Sequence, residues 1–124
     1  VVGRAVVRAL VDGGHQVTAL TRSPGNAPAL EGAGARPVVG DMREPGGWIA
    51  GVRDADAVVH MAQLTPSGRV SAKAASAAAK ADLRVTDALL DALAGTERPF
   101  IYTSGAWVYG SSNGAEPRTE ESPT

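Results

Sequence analysis

The chain has 124 residues, 44% hydrophobic and 20% charged, a balance that suits one soluble globular domain with a real core. Lys plus Arg is 12 and Asp plus Glu is 13, so the net charge of -1 offers no electrostatic footprint for nucleic acid or an anionic membrane. With no cysteine, and with His15 and His60 far apart in sequence, disulfides, thiol nucleophiles and a metal site are not expected.

Val2, Val6 and Leu10 recur at helical spacing, with Arg4 and Arg8 elsewhere on the wheel, and Gly13 and Gly14 supply a stop. This predicts an amphipathic helix. "QVTAL" then reads as a strand ending at "TRSPGN", whose Ser, Pro, Gly and Asn mark a loop. "ARPVVGD" repeats the arrangement after a short, poorly helical segment at residues 27–31, and "DAVVHMA" repeats it after a weak turn at 48–52. From about residue 67 to 94 the chain is rich in alanine, and Val70, Ala74, Ala81, Val85 and Leu89 form the buried stripe of a long helix. "RPFIYTS" is the last strand. Residues 111–124 are polar with Gly and Pro, a loop or a cut end.

Strands that read as nearly continuous apolar runs and alternate with helices predict an α/β fold with a parallel sheet covered on both faces. Ligands of such a sheet gather beyond the carboxyl ends of its strands. Those ends carry Thr21 and Arg22, then Gly40, Asp41 and Met42, then His60 to Gln63, and finally Thr103 to Ala106. No apolar run reaches the length of a membrane span, and no leader is legible, so a cytoplasmic protein without membrane or nucleic-acid partners is expected. Val1, not methionine, stands first, which reads as a processed start or a piece of a longer chain.

"VVGRAVVRALVDGGHQVTALTRSP", "VVGDMRE", "DADAVVHMAQ", "RVTDALLDAL" and "FIYTSGAWVYG" fall in an order and spacing that resembles the extended short-chain dehydrogenase/reductase family, the NAD-dependent epimerase/dehydratase group. The resemblance covers nearly the whole chain. It implies a Rossmann-type doubly wound parallel sheet whose first, central strand precedes Val1, so that the strands at about 16–20 and 57–61 leave a gap or close on one another. Residues 1–110 are then a partial dinucleotide-binding domain, and 111–124 a loop leading to a catalytic and substrate region that the chain does not contain.

The resemblance also implies site residues. Gly3 matches the third glycine of a GxxGxxG loop, needed where the first helix packs tightly on the sheet and receives the pyrophosphate. Thr21 and Arg22 stand at the ribose-reading place, where NAD users carry an acid, so NADP is expected over NAD. Asp41 faces the adenine amino group and Met42 packs on the ring, although an Asp capping the next turn is the plainer alternative. Met61, Ala62 and Gln63 line the middle of the cofactor. His60 reads as a packed strand residue, and Asp82 stands where the family's long helix usually has asparagine.

Chemistry in this family needs a tyrosine acid/base, a lysine four residues later, and a Ser or Thr bonded to the substrate oxygen. Tyr102 is followed four residues on by Ala106 and Tyr109 by Asn113, so neither begins a YxxxK pair. Gly105 stands where the serine is usual, leaving Ser104 and Thr103 as the candidate hydroxyls. The expected function is the cofactor-binding portion of an NAD(P)-dependent oxidoreductase or nucleotide-sugar epimerase/dehydratase acting on a small molecule, inactive on its own. The alternative is a related NADP-binding sensor without turnover. A phosphoacceptor receiver domain with Asp41 as acceptor is disfavoured, because no acid precedes Asp12 and no lysine follows Lys80.

Overall fold

The structure is a computed structural model and describes residues 2–64, 71–105, 119 and 121. Apolar, β-branched runs punctuated by turn residues set four short strands: β1 (Thr18–Thr21), β2 (Arg36–Val39), β3 (Val58–His60) and β4 (Phe100–Tyr102). The helices are α1 (Val2–Asp12), α2 (Ala27–Glu31) and α3 (Ala72–Leu93), with 3-10 turns at Pro24–Asn26, Pro45–Gly47 and Ile49–Asp54. The expected order of elements is recovered throughout the described residues. The alanine-rich segment forms a 22-residue helix whose start is set by Ser71, its hydroxyl accepting from the Ala74 N–H at 3.1 Å. Val70 of the expected stripe, and Ala106 and Tyr109 beyond β4, lie outside the described residues.

β1 pairs in parallel with β2, and β3 in parallel with β4, but no ladder joins the two pairs. The architecture among the described residues is therefore α/β with two small parallel sheets, not a complete doubly wound sheet. Parallel strands need a crossover of a dozen residues or more, and α3 supplies the one between β3 and β4.

One apolar cluster ties these pieces together. Val85 and Leu89, four apart on α3, bury with Met42, and Trp48, Ile49, Val52, Val58, Leu64 and Phe100 pack against them. Leu93 extends the stripe by one more turn. The two-residue period of a strand turns Val58 and Phe100 toward α3, and His60 and Tyr102 with them. Val59 and Ile101 face the other way and are 36% and 55% exposed.

The turn from α2 into β2 depends on Gly34. Its φ is +83°, its N–H donates to the Glu31 carbonyl at 2.8 Å, and the Ala35 N–H donates to that of Leu30 at 3.0 Å. This paired closure satisfies carbonyls that the helix end leaves free. A Cβ at Gly34 would stand 2.7 Å from Val11 Cγ1, so the glycine also lets α1 approach the turn. Among the described residues no helix is long and apolar enough to cross a membrane.

Candidate functional site

At the carboxyl end of the first pair, Thr21 is buried, and its hydroxyl donates to the Ser23 carbonyl at 3.2 Å. Arg22, next in the chain, is exposed. The Gly40 N–H donates to the Thr21 carbonyl at 2.9 Å, carrying the ladder one step beyond β2. A Cβ at Gly40 would lie 2.7 Å from Trp48 Cδ1 and 3.2 Å from Leu20 Cδ1, so this glycine admits the indole ring. Trp48 Nε1–H in turn donates to the Asp41 carbonyl at 2.9 Å, anchoring the residue that begins the loop.

The Asp41 carboxylate closes a local turn. Oδ1 accepts from the Arg43 N–H at 2.9 Å, Arg43 Nε–H reaches both oxygens at 3.0 Å, and Arg43 Nη2 donates to Oδ2. These bonds, chiefly the one from the Arg43 side chain, lower the Asp41 pKa from 3.8 to about 2, and the Arg22 charge acts in the same direction. The folded value lies below the unfolded one, so the pair's stabilisation is fully present above pH 3.8 and is lost as pH falls through about 2. A carboxyl-carbon NMR titration of Asp41 should place its midpoint near 2, and Arg43→Ala should return it toward 3.8. A wild-type midpoint already near 3.8 would show that Arg43 does not hold the carboxylate in solution.

Met42, read as packing on the adenine ring, is 8% exposed and packs on Val85 and Leu89. The turn is the reason: with Asp41 pointing outward to Arg43, the next side chain is directed at the core.

The second pair ends differently. Met61 is half-buried, while Ala62, Gln63, Thr103, Ser104 and Gly105 are exposed and outside any regular element. The Thr103 N–H donates to the His60 carbonyl at 3.0 Å, so these two tails leave the sheet side by side. His60 is 6% exposed, in keeping with a packed strand residue, and its Nε2 lies 3.3 Å from Asp82 Oδ1. Tyr102 donates its hydroxyl to Asp82 Oδ2 at 2.6 Å, and this bond, with burial, raises the phenol pKa. An open depression of about 410 Å³ between α3 and β4 is lined by Asp82, Thr86, Phe100 and Tyr102 among others.

Gly3 joins neither group. It sits in the first turn of α1, and a Cβ there would meet nothing within 4 Å. No cluster of three or more metal-ligating side chains occurs among the described residues.

Sequence reading offered Asp41 capping the next turn as an alternative, and the structure shows that turn closed by Arg43. The contacts of Asp82 with Tyr102 and His60 had no local signal, since they span 20 and 22 residues and depend on strand register.

The sequence profile of the NAD dependent epimerase/dehydratase family matches residues 1–124. The chain belongs to this family. Among curated relatives, the epimerase/dehydratase chain is 38% identical over 113 residues to the uncharacterized protein C2A9.02 of Schizosaccharomyces pombe, covering 91% of the chain and 36% of that protein. It is 28% identical over 106 residues to the uncharacterized protein YLL056C of Saccharomyces cerevisiae, covering 84% of the chain and 34% of that protein. The chain thus spans about a third of the length of the curated relatives it matches. Members of this family bind an NAD(P) cofactor.

Proposed function

We propose that the chain is the dinucleotide-holding portion of an NADP-preferring oxidoreductase or nucleotide-sugar epimerase/dehydratase. The observation that carries the reading is the charge arrangement beyond β1 and β2. There exposed Arg22 acts electrostatically on Asp41, and Asp41 is paired with Arg43, so two arginines and one carboxylate share this end of the sheet. That end fits a ribose 2′-phosphate, which a guanidinium meets with two charge-assisted hydrogen bonds. Asp41 retains carboxylate lone pairs for an adenine amino group. Buried Thr21 shapes the loop through its bond to Ser23 and contacts the ribose only by its position.

In this reading the strand order is β2–β1, a further strand, then β3–β4, the doubly wound arrangement with its crevice at the point of reversal. Two parallel pairs with no ladder between them support it. Met61, Ala62 and Gln63 line the dinucleotide's middle, and Gly3 belongs to the pyrophosphate loop. When bound, the nicotinamide group supplies hydride exchange. Thr103 and Ser104 hold the substrate oxygen, with residues 1–110 as the dinucleotide-binding domain and 111–124 as the path to the region that binds the small-molecule substrate. The 124 residues alone are expected to show no turnover, since no YxxxK pair occurs in them.

Gly105, at the position usual for the catalytic serine, favours one second reading: an NADP-binding sensor without turnover. Fluorescence titration of the protein that carries this chain with NADPH and NADH tests the proposal. Saturable binding, tighter for NADPH, is expected. Failure of both to bind overturns it, and binding without turnover of any nucleotide-sugar or carbonyl substrate favours the sensor.

A further inference from the structure

His60 and Tyr102 are register partners, the last residues of β3 and β4, and their rings lie 5.5 Å apart with a 50° tilt. Both face α3, where Asp82 stands one helical turn before the buried Val85. One carboxylate therefore meets both members of a cross-strand pair: Oδ2 accepts the Tyr102 hydroxyl at 2.6 Å, and Oδ1 lies 3.3 Å from His60 Nε2. The contact stands immediately before the tails 61–63 and 103–105, which leave the sheet without regular structure. An ionised carboxylate accepts from both donors at once, holding helix, β3 and β4 at a single point.

We propose that Asp82 is a positioning residue that sets the separation of these two tails, and through them the grip on the middle of the dinucleotide. The inference rests on the dinucleotide-binding reading above. Asp82 touches no bound group itself. It acts through Tyr102, whose backbone leads directly into Thr103 and Ser104, and through His60, whose backbone leads into Met61. The raised pKa of Tyr102 keeps the phenol a donor across the neutral range, so the link persists there. Asparagine at this position retains a carbonyl for the Tyr102 hydroxyl, and its amide can face an imidazole nitrogen in the other tautomer. The role is thus one of geometry and not of charge.

The test compares Asp82→Ala, Asp82→Asn, Tyr102→Phe and the Asp82→Ala/Tyr102→Phe double variant in the protein that carries this chain. Amide hydrogen exchange without cofactor should quicken at residues 61–63 and 103–105 in the alanine and phenylalanine variants, and β1 and β2 should keep wild-type protection. The NADPH dissociation constant should rise about fivefold in each, the size of one net hydrogen bond. The double variant should be no weaker than the weaker single one, because both remove the same link. Asp82→Asn should stay within about twofold of wild type, a rescue that a requirement for negative charge would not give. Leu93→Ala, a destabilising change of a buried side chain in the last turn of α3, should leave the dissociation constant unmoved. Unchanged NADPH affinity in Asp82→Ala, or faster exchange spread evenly over the chain, overturns the positioning role and leaves the binding reading intact. Absence of any dinucleotide binding by the wild type overturns the binding reading and the cofactor role together, and exchange at the two tails then reports the clamp alone.

Discussion

Leu89→Ala is expected to lower the free energy of unfolding by about 2 to 5 kcal/mol, the range for removing a buried leucine side chain from a core that relaxes only in part. Leu89 is 4% exposed and shares the apolar cluster with Val85 and Met42. The consequence reaches beyond one helix. No backbone ladder joins β1–β2 to β3–β4, so the contact of Met42, which follows β2, with α3 is a principal link between the two pairs. A domain of this size has about 5 to 15 kcal/mol of net stability, so the loss is a large fraction of the whole. Leu90, the next residue, is 46% exposed and serves as the control. Its change to alanine should cost less than about 0.5 kcal/mol, as surface substitutions do. Urea unfolding of the two variants, followed by far-UV circular dichroism, measures the difference. Equal midpoints for both would mean that the Val85–Leu89 stripe is not where the molecule is held.

Arg22→Ala should weaken NADPH binding by roughly tenfold to a hundredfold and leave NADH binding nearly unchanged. The magnitude follows from a charge-assisted hydrogen bond of about 1.5 to 3 kcal/mol, reduced toward the lower end by solvent at this exposed side chain. Arg22→Asp should go further and favour NADH, since an acid there accepts from both ribose hydroxyls and repels a 2′-phosphate. The structure selects this position over Thr21 for the inverting change. Thr21 is 8% exposed and gives its hydroxyl to Ser23, so an aspartate there would bury a charge and break the loop's own bond. Titrations of both cofactors at one ionic strength decide the matter. Equal losses for NADPH and NADH would assign Arg22 to the loop and not to the phosphate.

Most of the local structure was legible because it is local. The strands announce themselves as short apolar, β-branched runs between Gly, Pro, Asn and Ser, and the observed β1, β2, β3 and β4 fall within one residue of those runs. The long helix ending at Leu93 was equally plain, from alanine content and the i, i+4 spacing of Val85 and Leu89, whereas residues 27–31, read as poorly helical, form a short helix. The register of motifs along the chain also carried the family, which the match over residues 1–124 shows. Placement of side chains was harder to read. Met42, read as packing on an adenine ring, is buried in the apolar cluster, beside a turn that Arg43 closes on Asp41.

By itself, then, the sequence determined the order and type of the elements, the α/β class and the residues that stand at the strand ends, which follow from periodicity and turn chemistry within a few neighbouring residues, and its motifs carried the resemblance to the family. Only the tertiary structure decided which strands pair, that the pairs remain separate, and that Asp82 joins His60 to Tyr102. These depend on strand register and helix docking, where groups about 20 residues apart meet through contacts that no local pattern encodes.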